Sequence, residues 1–126
     1  MTAATRGIIL FAHGSRDPLW HKPMEAVAEQ LRAGDGQPQV SCAYLELSTP
    51  DLPLAALHMI GSGVENITIL PLFLGVGKHA REDLPALVEA LRNRHPEVDF
   101  SLKAAVGEHP RLIQLLAEIA LEIDIQ

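Results

Sequence analysis

With a single cysteine, Cys42, this chain cannot form an intramolecular disulfide or assemble the thiolate cluster of a structural zinc site. Cys42 sits inside an apolar, strand-like run, which marks it as a buried structural thiol rather than a reactive one. Aromatic residues are scarce, at 4%, and basic side chains are outnumbered by acidic ones, 10 against 16, for a formal charge of −6. Such an acidic chain offers no broad attraction to phosphate backbones or anionic lipid, so nucleic acid and membrane are poor partners for it. No window reaches the roughly 18 apolar residues of a membrane span. The segment from Met1 to Ala12 has one arginine and too short an apolar stretch for a secretory signal, and the expected location is the cytoplasm.

What the chain does contain is ordinary for a folded protein: 48% hydrophobic and 21% charged residues over 126 positions. One domain over residues 1–126 is expected, without a linker. Strand-like and helix-like periods alternate along it. Gly7 to Ala12 is a continuous apolar run, as in a strand covered on both faces. After a loop from His13 to Trp20, Pro23 suits a first helical turn, and Met24, Val27, Ala28 and Leu31 recur at helical spacing until Gly34 and Gly36. Val40 to Leu45 is a second strand, ending at Glu46. Ser48-Thr49-Pro50-Asp51 then reads as a helix start, with a hydroxyl cap, a first-turn proline and an early carboxylate, and its helix stops by Gly61 or Gly63.

Asn66 to Leu72 is a third strand, with Pro71 expected at its very end, where a ladder donor is dispensable. A long loop from Phe73 to Arg81 follows. The next helix has Glu82 and Asp83 in its first turn and Leu84, Leu87, Val88 and Leu91 on one face, ending before Pro96. Asp99 to Val106 is a fourth strand. Pro110 opens a last helix with the stripe Leu112, Leu115, Leu116, Ile119, Ala120 and Ile123. This βαβαβαβα order predicts an α/β fold with a four-stranded parallel sheet, order 2-1-3-4, and helices on both faces. The crevice of such a sheet opens at the carboxyl ends of strands one and three, where the chain reverses direction.

Two histidines fall there. His13 ends the first apolar run, His79 lies in the loop after the third strand, and Glu46 ends the neighbouring second strand. Either histidine alone also suits a loop hydrogen bond or a helix cap, and Glu46 suits a solvated strand end. In company, beside Gly14, Gly75 and Gly77, they read as metal ligands or bases with room for a bulky ligand. Arg16, Lys22, Lys78 and Arg81 give the acidic chain a basic mouth, either as solvated loop residues or as contacts to a polycarboxylate or phosphate. His21, His58, His95 and His109 have no comparable placement and are assigned structural roles.

Other chemistries fail on spacing. A phosphate loop needs glycine at position 72 and a hydroxyl at 79, where Leu72 and His79 stand. No G-x-G-x-x-G follows the first strand, so the dinucleotide fingerprint is missing. Ser15 has no G-x-S-x-G around it, which removes the serine hydrolase and leaves Ser15 to hydrogen-bond its loop.

The segments Ile8-Ile-Leu-Phe-Ala-His-Gly-Ser-Arg16, Ala43-Tyr-Leu-Glu46, Leu70-Pro-Leu-Phe-Leu-Gly-Val-Gly-Lys-His79 and Glu82-Asp-Leu-Pro85 resemble the small sirohydrochlorin chelatases of the CbiX type. The likeness runs from about Gly7 to the final helix. It implies a chelatase-like, flavodoxin-like three-layer fold and an enzyme that inserts Co²⁺, Fe²⁺ or Ni²⁺ into sirohydrochlorin, without an organic cofactor. It implies His13, His79 and Glu46 as metal-binding and catalytic residues. Ser15, Arg16, Gly75, Gly77, Lys78 and Arg81 then meet the flat, polyanionic tetrapyrrole. Since related chains carry two such domains, the resemblance implies a homodimer, with the apolar last helix, including Leu121 and Ile125, as its interface. A non-catalytic metal or tetrapyrrole carrier using the same residues, and a binding domain for phosphate compounds, are the other readings.

Overall fold

The computed structural model describes residues 5–123. Four parallel strands form one sheet in the order β2-β1-β3-β4, the predicted order: β1 is Arg6–Ala12, β2 Gln39–Tyr44, β3 Asn66–Pro71 and β4 Asp99–Leu102. Four helices connect or follow them: α1 Lys22–Ala33, α2 Leu52–Gly61, α3 Lys78–Arg94 and α4 Pro110–Leu121. Short 3₁₀ turns at Pro18–His21 and Val106–Glu108 lead into α1 and α4.

The alternation of side chains along β1 explains the layers. Ile9 and Phe11 point to one face, where α2 lays Leu52, Ala55, Ala56 and Met59 and α3 lays Leu84, Val88 and Leu91. Ile8, Leu10 and Ala12 point to the other, against Met24 and Ala28 of α1 and Cys42 and Tyr44 of β2. Ile9, Leu10, Ile67 and Ile69 are fully buried, each contributing about 1.5–3 kcal/mol of transfer free energy.

Four elements differ from the sequence reading. The α3 helix begins at Lys78, with Gly77 as its cap residue, so Lys78, His79 and Arg81 stand on a first turn rather than in a loop. Arg81 N–H already donates to the Gly77 carbonyl at 3.0 Å, and Glu82 and Asp83 mark the second turn. The α2 helix is capped by Asp51, whose carboxylate accepts the Leu54 N–H at 3.0 Å, with Pro53 in the first turn. The hydroxyl of Ser48 has another task. The β4 strand stops at Leu102, not Val106: after the Lys103 N–H has donated to the Ile69 carbonyl at 3.0 Å the chain turns away from β3, and Gly107 N–H donates to the Phe73 carbonyl at 2.9 Å. Lastly, α4 forms where predicted but buries none of its residues. Its near side walls a cavity of about 680 Å³ shared with Leu70, Lys103 and Val106. Ile125 lies outside the described residues.

Candidate active site

The β1–β2 pairing runs on past both strand ends: Leu45 N–H donates to the Ala12 carbonyl at 2.9 Å, and Glu46 N–H to that of His13 at 3.0 Å. Glu46 is thereby tied to His13 through the backbone. Gly14, at φ 101°, makes this approach feasible, since a Cβ there would lie 1.7 Å from the Glu46 carbonyl oxygen. Both His13 and Glu46 hold their side chains exposed at the carboxyl edge of the sheet.

Phe73 organises the other side. Buried just beyond β3, it packs edge-on against Phe11, with centroids 6.0 Å apart. The His13 ring lies on it, with centroids 4.5 Å apart and planes at 48°. His79, on the first turn of α3, lines a cavity of about 90 Å³ together with Phe73, Leu45 and Asp83. The two predicted imidazoles therefore meet the same phenylalanine, one resting on it and one sharing its cavity. In the sequence alone Phe73 reads as the first residue of a loop. An aromatic placed directly after a strand at the sheet's open edge was the available signal.

The remaining predicted residues are distributed more loosely. Arg16, Lys78 and Arg81 are exposed. Among the described residues the ion pairs are Arg32–Glu29 and Arg92–Glu89, so none of these three cations is offset by Glu82 or Asp83. Arg81 shares a second cavity, about 210 Å³, with Lys103 and Glu108. Lys103, at the exit of β4, adds a cation to the same edge that the sequence reading had not placed there. A Cβ at Gly75 or Gly77 would meet nothing within 4 Å, so the loop before α3 borders open space. Ser15 hydrogen-bonds its own loop as expected, its hydroxyl accepting the Asp17 N–H at 3.0 Å. Among the described residues no three His, Cys, Asp or Glu side chains converge as a metal cage. His13, Glu46 and His79 thus share an edge without closing around a point.

Two of the other histidines mark helix ends. His109 caps α4, its Nδ1 accepting the Arg111 N–H at 3.1 Å, and His95 ends α3. Cys42 is buried, as the sequence reading held. Burial, with the Glu25 carboxylate adding to it, pushes its thiol up to about 11. Tyr44 is shifted upward as well, first by burial and then by Cys42 and Glu25.

The family model named CbiX matches residues 7–123. The chain belongs to the CbiX family. A CbiX protein from Marinobacter aquaeolei VT8 superposes on this CbiX-family chain with a TM-score of 0.77 at 36% identity, covering 91% of this chain and 93% of that one. The sirohydrochlorin chelatase SirB from Bacillus subtilis subspecies spizizenii, solved in complex with cobalt, shares the fold at a TM-score of 0.75 and 23% identity. That match covers 94% of this chain but 49% of SirB. A sirohydrochlorin cobaltochelatase from Methanothermobacter thermautotrophicus is 32% identical over 82 residues, 65% of this chain and 57% of that protein. The chain spans about half the length of the curated relatives it matches.

Proposed function

We propose that this CbiX-family protein is a chelatase that inserts a divalent metal, Co²⁺, Fe²⁺ or Ni²⁺, into sirohydrochlorin on the way to cobalamin or sirohaem. The observation that carries this reading is the family match over residues 7–123, joined to the meeting of His13 and His79 at Phe73 beside Glu46. Relatives named as cobaltochelatases and ferrochelatases support it.

Insertion exchanges two pyrrole N–H protons for one M²⁺. Two protons leave and no electrons move, so the reaction needs no organic cofactor. His13 and His79 carry nitrogens that suit late first-row divalent ions and that also accept protons. Glu46 supplies charge or takes the second proton. An open arrangement suits a metal that must be passed on, because a closed cage would retain it. Arg16, Lys78 and Arg81, with Ser15 beside them, are suited to the carboxylates of the tetrapyrrole, and the open space at Gly75 and Gly77 to its flat face.

The proposal includes a homodimer. A 12-residue helix is marginal in water unless its apolar face is packed, yet Ile113, Leu115, Leu116 and Ile119 of α4 are all exposed in the single chain. A second copy supplies the cover, in keeping with the double-length SirB chain that this one half spans. A cytoplasmic location is also part of the reading, supported by the single cysteine and, among the described residues, by the lack of any helix long and apolar enough to cross a membrane.

The test is the absorbance change of sirohydrochlorin with Co²⁺. The wild type should far outpace the uncatalysed control, and His13→Ala or His79→Ala should abolish the gain while circular dichroism stays unchanged. A wild type that binds metal or tetrapyrrole without accelerating insertion refutes the proposal in favour of a carrier.

A further inference from the structure

On the chelatase reading, we infer that Ser48 and His21 form a clasp that fixes the His13 loop against Glu46, and that both are positioning residues of the site. Ser48 lies two residues beyond Glu46, and Ser15 two beyond His13. The Ser48 hydroxyl accepts the Ser15 N–H at 3.1 Å and donates to the Ser15 carbonyl at 2.7 Å. A hydroxyl has one proton, and here the Ser15 carbonyl takes it. The third contact, His21 Nε2 at 3.0 Å, is therefore made by a ring N–H donated to the Ser48 oxygen. Every hydrogen-bonding capacity of that hydroxyl is filled by these three contacts.

The clasp and the Glu46 N–H to His13 carbonyl bond together close a small ring: His13, Gly14, Ser15, then Ser48, Leu47 and Glu46. Gly14 at φ 101° and Leu47 at φ 64° both adopt the left-handed region inside it. Leucine rarely does so unless its surroundings hold it there. Two ties, one of backbone and one of side chain, supply that hold.

His21 anchors the ring to the core. It stands at the N-cap of α1 but makes no side-chain cap bond, so its ring is left for Ser48. Edge-on contacts to Tyr44, centroids 5.0 Å apart, and to Trp20, 5.3 Å apart, hold that ring in place, and Tyr44 is itself buried in β2. Neither Ser48 nor His21 needs to touch substrate for this role.

The experiment pairs metal-insertion kinetics with hydrogen exchange of the amides at 13–17. Ser48→Ala should raise the KM for Co²⁺ about tenfold, as expected for loss of roughly one or two positioning hydrogen bonds, and speed that exchange by a similar factor. Ser48→Thr, which keeps the hydroxyl, should restore both. His21→Ala should shift both in the same direction by less, and it also serves if Ser48→Ala does not fold. Arg92→Ala, which removes the bond to the Phe100 carbonyl far from the site, should change neither. An unchanged KM in Ser48→Ala overturns the positioning role even if kcat falls, because a smaller folded fraction lowers kcat alone. If the wild type inserts no metal, the chelatase reading fails, and the clasp is then judged on exchange: unchanged protection at 13–17 overturns it.

Discussion

Gly14→Ala separates backbone strain from steric collision at the junction of His13 and Glu46. The left-handed conformation at φ 101° costs a non-glycine residue about 1–2 kcal/mol. The new Cβ would also sit 1.7 Å from the Glu46 carbonyl oxygen and 3.3 Å from the Tyr44 Cβ. The loop must then part from Glu46, losing the Glu46 N–H to His13 carbonyl bond, for about a further 1 kcal/mol, along with some of the packing around it. Strain and the lost bond alone come to roughly 2–3 kcal/mol, a sizeable share of the ~5–15 kcal/mol that holds a domain folded. Gly36→Ala is the matched control: φ is 87°, but nothing lies within 4 Å of its Cβ. It should cost only the ~1–2 kcal/mol of strain. Urea unfolding of both variants, compared at a common m value, reads the difference directly. Gly14→Ala should also lose metal insertion and Gly36→Ala keep it. Equal destabilisation of the two would refute the collision reasoning.

Three further expectations concern other parts of the molecule. Phe73→Ala should destabilise by about 3–5 kcal/mol and impair insertion, whereas Phe73→Leu should fold nearly normally and still insert metal more slowly, having lost the aromatic floor under His13; full activity of Phe73→Leu would show that the ring contact is idle. Cys42 should resist alkylation at pH 8 until urea is added. Its folded pKa of about 11 lies above the ordinary 9.0, so the folded state keeps a proton that the unfolded chain gives up. The stability it contributes is complete below pH 9 and is lost as pH rises through 11. A urea midpoint that Cys42→Ala leaves with the same alkaline pH dependence would contradict this. Leu116→Glu with Ile119→Glu should convert a dimer into a species of the 13.7 kDa chain mass in sedimentation equilibrium, and a monomeric wild type would dispose of the dimer.

The first strand was legible because Gly7 to Ala12 is a continuous apolar run, as a strand covered on both faces demands; the other three, although interrupted by Ser41, Thr68 and Ser101, are short β-rich segments set between helical patterns. Strand order followed from alternation and right-handed crossovers. The start of α3 was missed because Lys78 to Arg81 carry no apolar residue that the core needs, so hydrophobic periodicity first registers at Leu84. In β4, apolar residues resume after Lys103 and reach Val106 while pairing stops at Leu102, because the chain turns there to bring Gly107 to Phe73, a backbone contact that composition does not report. The apolar stripe of α4 was legible, but what it packs against was not, because a stripe specifies burial without naming the surface. Within the site, His13, Glu46 and His79 stood out by type and position. Ser48 did not, since a hydroxyl ahead of a helix reads first as a cap, and only the fold brings it to Ser15 across the sheet.

The two halves of the site differ in mechanical compliance. His13 and Glu46 hang from β1 and β2, and β1 is hydrogen-bonded on both sides and buried from Gly7 to Ala12; such strands open only when the whole domain unfolds. His79 stands on the first turn of a helix that lacks a side-chain cap, after an exposed segment at 74 and 75, and the ends of such helices fray for little free energy. One imidazole thus directly follows a strand paired on both sides, and the other stands on a helix end without a side-chain cap. Mild heating or sub-denaturing urea should therefore release the His79 side while the His13 side still reports a native sheet.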